Sequence, residues 1–203
     1  MKLSVLIPVY EQEELVIKAL DSLPRRNDVE ILVCDDGSND NTLSNLLAYK
    51  TEHPGLNLRL YSNGSNCGVA HTKNRLISQA QGRYIHIHDS DDHVHTALYN
   101  ELIDGLDDAD VYVMDLVINN GSVFRINADN AHIYCAQIAR FIRREFAAGI
   151  EFPEEVRAGD DGYYAVALEK RNPVTVYTGV PAYYYNYPRE GSLTDMRLRG
   201  LLP

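Results

Sequence analysis

The feature that most constrains the fold is an alternation of short apolar runs with segments of helical periodicity through the first half of the chain. The apolar runs are predicted strands and lie at Leu3–Val9, Val29–Cys34, Leu56–Tyr61 and Tyr84–His88. In the intervening segments 11–23, 42–47 and 69–80, apolar residues recur at intervals of three and four, which indicates helices. Strands and helices that alternate in this way favour right-handed βαβ crossovers. We therefore predict an α/β fold with a mainly parallel, doubly wound sheet.

The size and composition of the chain suit one compact globular domain, since its 203 residues are 45% hydrophobic and 24% charged. No apolar run approaches the roughly 20 residues that cross a bilayer, and the N-terminal run is too short for a signal peptide. We therefore expect a cytoplasmic protein without a transmembrane segment. The net charge of -10 argues against a nucleic-acid partner. Cys34, Cys67 and Cys135 form neither a CxxC site nor a disulfide framework, and the oligomeric state is left open.

The order of the predicted elements changes after residue 96. The predicted helices there are 97–106, Ala131–Ala147 and a helix that opens at Gly159 and runs to Lys170. The predicted strands are Val111–Ile118, Val123–Ile126, Val174–Tyr177 and Ala182–Tyr185, the first two being joined by a turn.

Polar side chains follow each of the predicted strands in the first half of the chain. These clusters are Tyr10-Glu11, Asp35-Asp36, Asn63–Asn66 and Asp89–Asp92. In an open parallel sheet, ligands bind beyond the carboxyl ends of the strands. The sequence therefore predicts a ligand site where these clusters meet.

The stretch "YIHIHDSDDHVH" over residues 84–95 admits three interpretations. A zinc site would use His86, His88 and His93, but His93 lies beyond a turn, and a dinuclear zinc hydrolase pattern needs an acid at position 90 and a histidine at position 91. Alternatively, the polar residues cap a strand and begin a helix, which accounts for one or two acids but not for three. The favoured interpretation makes Asp89 and Asp91 a D-x-D site for Mn²⁺ or Mg²⁺, because hard divalent cations prefer oxygen ligands.

Six segments carry specific motifs in a fixed order: "SVLIPVYEQEELVIKALDSL", "EILVCDDGSNDNT", "NCGVAHTKN", "GRYIHIHDSDD", "GDDGYY" and "YYYNYPREGSLT". Together they resemble the family 2 glycosyltransferases of GT-A fold over nearly the whole chain. The resemblance implies a Rossmann-like, mainly parallel sheet flanked by helices, with a smaller acceptor-side α+β portion. It also implies that residues 1–96 form a donor-binding half and residues 97–203 an acceptor-side half of the same single domain.

The resemblance further implies a nucleotide-sugar donor bound by residues of the first half. The implied donor contacts are Pro8, Val9, Tyr10, Glu11, Asp35, Asp36, Gly37, Asn66, Gly68, Lys73 and Asp89. The first four would border the base and ribose, Asp36 together with Asp35 would accept hydrogen bonds from the base, and Gly37 would permit a close backbone approach. The simpler alternatives are that Asp35 and Asp36 only form a turn and that Lys73, the candidate cation for the phosphates, is a solvated charge.

The same resemblance assigns the metal and the chemistry to four aspartates. Asp91 would be the principal ligand of Mn²⁺ or Mg²⁺, with Asp89 on the ribose or the metal. Family 2 enzymes generally invert the anomeric centre, so Asp161 would be the general base that takes the proton of the acceptor hydroxyl, and Asp160 would orient it or the acceptor. The metal would stabilise the departing diphosphate. The alternative is that both acids of "GDDGYY" merely complement a helix dipole.

Three positions depart from the family pattern. Asp160 replaces the usual glutamate, and His88 stands at a usually apolar position, where we interpret it as a core histidine with satisfied hydrogen bonds, with a donor-site contact as the alternative. Asn186 falls where many relatives have arginine, with Arg189 or Arg197 as substitutes.

The resemblance, together with the acidic turn, implies a metal-dependent inverting glycosyltransferase, expected to be a hexosyltransferase. It would move a sugar from a nucleotide-diphosphate donor, expected to be a UDP-sugar, to a carbohydrate or another hydroxyl-bearing acceptor. The altered acid pair and the missing arginine motivate an alternative, a nucleotide-sugar binding protein without catalysis. A nucleotidyltransferase is disfavoured because "PVYEQEE" is not a glycine- and lysine-rich loop.

Overall fold

Strands and helices alternate through the first half of the molecule, as predicted. The computed structural model describes residues 1–131, 137–156, 159–187, 189–190, 195–196 and 199–200. The first half contains strands β1 (Leu3–Val9), β2 (Val29–Asp35), β3 (Leu58–Ser62) and β4 (Tyr84–Ile87), with helices α1 (Leu15–Ser22), α2 (Thr42–Glu52) and α3 (Val69–Gln79) between them. Helix α1 begins later than predicted, because residues 11–14 are used to leave β1, where Glu11 adopts a left-handed φ of 50°.

Among the residues described, the second half supplies short strands, one 3-10 turn and two α-helices. These are β5 (His93–Val94), α4 (Thr96–Gly105), β6 (Val111–Val113), β7 (Leu116–Ile118), β8 (Val123–Phe124), a 3-10 turn (Gln137–Ala139), β9 (Arg140–Arg143), α5 (Asp160–Glu169), β10 (Thr175–Tyr177) and β11 (Tyr183–Tyr185). None of the helices in the described part of the chain has the length and hydropathy needed to cross a membrane.

The main sheet has seven strands in the order β10-β6-β9-β4-β1-β2-β3. Strand β1 pairs in parallel with β2 and β4, β2 with β3, and β6 with β10, whereas β9 runs antiparallel to both β4 and β6. The mainly parallel α/β architecture is confirmed. Parallel strands end at the same edge of the sheet, so the polar clusters after β1, β2 and β4 are brought together.

The prediction of a helix over Ala131–Ala147 is wrong in its later part, where Arg140–Arg143 form strand β9. Phe141 and Ile142 are 0% and 1% exposed and point to opposite faces of the sheet, so both faces of this strand are covered. A short apolar run buried on both sides cannot be distinguished from a buried helix by periodicity alone, and pairing with β4 and β6 decides the outcome. The first part of this predicted helix, residues 132–136, lies outside the described residues.

The predicted strand Val111–Ile118 is divided between two sheets. Its first part is β6 in the main sheet, and its second part is β7 in a four-stranded sheet of order β5-β11-β7-β8. The break falls at Asp115, whose buried carboxylate accepts a hydrogen bond from the Ile126 amide at 2.9 Å. The smaller sheet pairs β5 with β11 and so places the Asp89–Asp92 turn beside Tyr183–Asn186.

A buried carboxylate ties the strands together at their amino-terminal edge. Glu30 accepts hydrogen bonds from Ser4 Oγ and the Gln81 amide, both at 2.6 Å, and from Arg59 Nη1 at 3.1 Å. The turn that contains Gln81 and Gly82 is thereby pressed against β1. A Cβ on Gly82 would lie 2.5 Å from the Ser4 backbone nitrogen, which no real side chain tolerates without a shift of the backbone.

We expect Gly82→Ala to lower the free energy of unfolding by about 1–3 kcal/mol, the usual cost of overpacking a rigid core. Urea denaturation measures the change. Gly105→Ala is the matched control, because a Cβ at Gly105, the last residue of α4, meets nothing within 4 Å. Equal stability of the Gly82→Ala protein and the wild type would contradict this packing.

Candidate active site

A cleft of about 970 Å³ opens at the carboxyl ends of the parallel strands. Nine of the predicted donor or metal residues line it: Pro8, Val9, Tyr10, Glu11, Asp36, Asn66, Gly68, Asp89 and Asp91. The remaining lining includes Tyr185, Asn186, Tyr187 and Arg189, which follow or end β11. Asp35, Gly37, Lys73, Asp160 and Asp161 are described but do not line this cleft. The cleft is therefore built from both halves of the chain.

Asp36 organises the loop that begins α3. Its Oδ1 accepts hydrogen bonds from Asn63 Nδ2 at 2.6 Å and the Cys67 amide at 2.9 Å, and its Oδ2 accepts from the Gly68 amide at 2.9 Å. These bonds hold Asn66, Cys67 and Gly68 at the cleft wall. A carboxylate has more acceptor sites than these three bonds fill, so an additional partner in the cleft is compatible with them.

Asp35 and Gly37 shape the neighbouring turn. The Asp35 carboxylate accepts from the Gly37 amide at 3.2 Å and from the Ser38 amide at 3.3 Å, and it is 1% exposed. Gly37 has a φ of 74°, and a Cβ there would lie 2.4 Å from the Ser65 backbone. The close approach that Gly37 allows in this structure is therefore between two loops of the protein.

Three carboxylates converge in the turn after β4. Oxygen atoms of Asp89, Asp91 and Asp92 all lie within 4.8 Å of one another. Asp92 was not predicted as a site residue, because the D-x-D interpretation used Asp89 and Asp91 and left the next acid out. The Asp92 amide donates to the Asp89 carbonyl at 3.2 Å, and the turn that this bond closes places the Asp92 carboxylate close to the other two. The third acid in "DSDD" was the only sequence signal for it.

The protein fixes Asp92 firmly and crowds all three acids. Tyr183 Oη donates to Asp92 Oδ2 and the Asn186 amide donates to Oδ1, each at 2.7 Å. Burial, followed by the charges of Asp89 and Asp91, raises the pKa of Asp92. Burial and the charge of Asp91 likewise raise the pKa of Asp89, although Lys73 acts in the opposite direction. This repulsion makes the turn attractive to a cation.

Arg189 reaches the same turn. Its Nε lies 2.5 Å from Asp91 Oδ2, and Asn186 Nδ2 donates to the Asp91 carbonyl at 3.3 Å. Of the two arginines considered as substitutes for the one missing at position 186, Arg189 is thus at the carboxylate turn, and Arg197 lies outside the described residues. The guanidinium supplies positive charge beside Asp91.

A second acidic group begins α5. Gly159, with a left-handed φ of 87°, precedes the helix, and Asp160 and Asp161 occupy its first turn. Lys73 Nζ on α3 lies 2.8 Å from Asp160 Oδ2 and 2.8 Å from Asp161 Oδ1. Burial would lower the pKa of Lys73, but the charges of Asp161, Asp160 and Asp89 outweigh it and raise the pKa above its ordinary value. Lys73 is therefore a buried, charged residue, not a solvated one.

The histidines of the 84–95 stretch do not form a metal site in the described part of the chain. His86 Nε2 donates to the Ile138 carbonyl at 2.7 Å and its Nδ1 accepts from Tyr99 Oη at 2.6 Å. His88 Nδ1 donates to the Asp89 carbonyl at 2.8 Å, and its Nε2 has no hydrogen-bond partner among the described residues. His93 is exposed and stacks on Tyr184. Both His86 and His88 are core residues, but only His86 has both ring nitrogens hydrogen-bonded among the described residues, so the expectation of a fully satisfied His88 is wrong there. Burial lowers the pKa of His86 to about 3.

A mainly parallel sheet with helices on it, a cleft at the strand ends and an acidic turn after β4 together define a GT-A fold. The chain belongs to glycosyl transferase family 2, because the model of that family matches residues 4–158. Among curated proteins it is similar to the poly(ribitol-phosphate) beta-N-acetylglucosaminyltransferase TarS of Staphylococcus aureus, with 28% identity over 94% of this chain and 36% of that protein. The chain thus spans 23–36% of the length of the curated relatives that it matches over most of its own length.

Solved structures show the same fold. S. aureus TarS residues 1-349 in complex with UDP-GlcNAc superposes with a TM-score of 0.78 at 24% identity, covering 95% of this chain and 60% of that one. The mannosyltransferase PcManGT from Pyrobaculum calidifontis, in complex with GDP-Man and Mn²⁺, superposes with a TM-score of 0.70 at 20% identity, covering 94% of this chain and 58% of that one.

The buried histidine makes the fold sensitive to acid. Native His86 stays neutral, whereas the unfolded imidazole, with its ordinary pKa of 6.5, takes up a proton as the pH falls. The unfolded state therefore binds more protons between pH 6.5 and 5, and stability is lost on acidification.

We expect His86→Phe to remove about 2 kcal/mol of the stability difference between pH 7 and pH 5, measured by urea denaturation at both values. Ile85→Val, a core change on the same strand without a titrating group, is the control, and an unaltered pH dependence in His86→Phe would contradict the assignment.

Proposed function

We propose that the chain transfers a sugar from a nucleoside diphosphate donor, with a UDP-sugar as the first candidate, to an acceptor hydroxyl with inversion at the anomeric carbon. The observation that carries this proposal is the convergence of the Asp89, Asp91 and Asp92 carboxylates, two of them on the wall of the cleft. Family membership supports the reaction class. The TarS structure with UDP-GlcNAc supports uridine, because its fold is shared with this chain.

The residues present fit a divalent cation. The carboxylate cluster offers only oxygen, the ligand type that Mn²⁺ and Mg²⁺ prefer. Asp91 and Asp89 would hold the ion, with Asp92 as a third, more rigid carboxylate behind them. When bound, the cation supplies positive charge next to the diphosphate as the glycosidic bond to it breaks. The relative PcManGT, solved with GDP-Man and Mn²⁺, supports a metal of this kind.

The cleft wall supplies contacts for the nucleoside. Pro8 to Glu11 and the loop at Asn66 and Gly68 would border the base and ribose, since they line the same space as the acidic turn. Asp36 would add a hydrogen bond to the base while it holds the loop. Asp35 and Gly37 would contribute indirectly, through the turn that they build. When the donor binds, the Arg189 guanidinium would leave the Asp91 carboxylate and bind the diphosphate oxygens instead.

Asp161 would act as the general base. Its Oδ1 is bound to Lys73, and no hydrogen bond to its Oδ2 is found in the described part of the chain, so Oδ2 has the capacity to accept a proton. The acceptor oxygen attacks the anomeric carbon, its proton passes to Asp161, and the electron pair of the breaking bond leaves with the diphosphate. Asp160 would orient the base through their shared contact with Lys73.

The second half of the chain would provide the acceptor side, with residues 1–96 as the donor half and 97–203 as the acceptor half. The acceptor would be a carbohydrate or another hydroxyl-bearing molecule. Curated relatives are named for transfer to poly(ribitol phosphate), which makes that polymer the first acceptor to test.

We expect Asp161→Asn to lower the transfer rate by about 10²–10⁴-fold, the usual contribution of a general base. Donor consumption is measured with Mn²⁺ and a panel of UDP-sugars, and UDP binding is followed by the shift in melting temperature with and without Mn²⁺. The variant should retain the Mn²⁺-dependent UDP shift, because Asp161 is not among the residues that line the cleft.

Asp107→Asn is the matched control, since Asp107 is an exposed aspartate that follows α4. An Asp161→Asn protein as active as the wild type would refute the base assignment. A wild-type protein that binds UDP only with Mn²⁺ but consumes no donor with any acceptor would favour the alternative, a binding protein without catalysis.

A further inference from the structure

Lys73 has an environment that the donor role predicted from the sequence does not explain. Its side chain is 5% exposed, and its ammonium group lies 2.8 Å from one oxygen of Asp160 and 2.8 Å from one oxygen of Asp161. An ammonium has three N–H donors, and two are used by these carboxylates. A group held in this way inside the protein has little capacity left for a donor phosphate.

The position of the ammonium is fixed from a second direction. Nζ of Lys73 lies 4.7 Å from the centre of the Phe152 ring, within the range of a cation–π contact. Phe152 is itself stacked on Tyr164 of α5, with ring centres 4.1 Å apart. The next residue on α3, Asn74, donates from Nδ2 to the Phe152 carbonyl at 2.9 Å and accepts from the Phe152 amide at 2.8 Å. Helix α3, residue 152 and helix α5 therefore form one packed unit around Lys73.

The same helix begins at the nucleotide end of the cleft. The Gly68 amide that precedes α3 is bound to Asp36, and Gly68 lines the cleft. Lys73 lies little more than one turn further along the helix. Helix α3 thus connects the loop predicted to contact the nucleotide with the acids at the start of α5.

We propose that Lys73 is a positioning residue for the general base. It holds Oδ1 of Asp161, so that Oδ2 remains available to the acceptor hydroxyl, and it fixes the base relative to the donor through α3. The inference rests on the proposed function, because it assumes that Asp161 is the base. In the reaction the acceptor proton passes to Asp161, and Lys73 keeps its own proton throughout.

Electrostatics give the contact a second effect. Two adjacent carboxylates repel each other, and a cation that contacts both offsets this repulsion. Of the residues that the structure describes, the charged groups that face the pair are Lys73 from α3 and Asp89 from the turn after β4, with Asp91 acting on Asp89. Among the described residues Lys73 is the cation in contact with both acids, so its charge offsets the repulsion between them.

The test compares Lys73→Met, which removes the charge at similar length, with Lys73→Arg, which keeps it. In Lys73→Met we expect kcat to fall by about 10²-fold, as for a misplaced reacting group, and the acidic limb of the pH profile of kcat/KM to move up by about one pH unit or more. The Kd of UDP with Mn²⁺ should stay within about threefold, a difference below 1 kcal/mol. Lys73→Arg should restore part of kcat and return the acidic limb towards the wild type. Lys18→Met, at an exposed lysine on α1, is the control.

Three results would overturn the proposal. A rise of about tenfold or more in the Kd of UDP would show that Lys73 binds the donor. A lower melting temperature and kcat with an unmoved acidic limb would show a structural role only. An unchanged kcat in Lys73→Met, with an active wild type, would show no role. Failure of the proposed function is distinguishable from these, because then the wild type itself would consume no donor.

A folding failure of Lys73→Met does not remove the test. The double variant Lys73→Met/Asp160→Asn has the same net charge over residues 73, 160 and 161 as the wild type, because one cation and one anion are removed together. Positioning by Lys73 predicts that it folds, binds UDP with Mn²⁺ and retains the low kcat. Recovery of kcat to the level of Asp160→Asn alone would contradict the proposal.

Discussion

Repulsion among closely spaced carboxylates is the interaction on which the arrangement of the site depends. The turn after β4 carries three aspartates whose oxygens lie within 4.8 Å of one another, and the start of α5 carries two more. Lys73 forms ion pairs with both aspartates at the start of α5, whereas Arg189 contacts only Asp91 in the turn after β4. Crowding at the turn is therefore only partly offset, and an oxygen-rich group of this kind suits a divalent cation. The negative charge is neutralised less at the turn after β4 than at the start of α5. The proposed metal site depends on the first of these two groups, and the proposed role of Lys73 on the second.

The two halves of the chain are joined at the site by elements from each. Strand β9 of the second half is inserted between β4 and β6, so it packs directly beside the strand that ends in the acidic turn. Strand β11 supplies Tyr183, whose hydroxyl donates to Asp92. Helix α3 of the first half supplies Lys73 to α5 of the second. The division into donor and acceptor halves remains a prediction, but the site itself is composed of both.

The sequence predicted the elements of the first half and the residues at their ends, because each depends on local periodicity and on the common direction of parallel strands. It failed over residues 140–143, where pairing with two distant strands makes a helix-like apolar run into β9. It missed Asp92, since the D-x-D interpretation covered only Asp89 and Asp91, and contacts with Tyr183 and Asn186 position the third acid. It could not place Lys73, whose partners are 87 and 88 residues away along the chain. The residues that the sequence left out are those positioned by tertiary contacts.

The most direct test of the central claim is the anomalous diffraction of crystals grown with UDP and Mn²⁺. The account predicts one Mn²⁺ ion bound to carboxylate oxygens of Asp89 and Asp91 at about 2.0–2.3 Å, with the diphosphate of UDP on the same ion and the uridine in the cleft lined by Tyr10 and Asn66. An ion bound elsewhere, or a nucleotide in the cleft with both carboxylates turned away from it, would contradict the account.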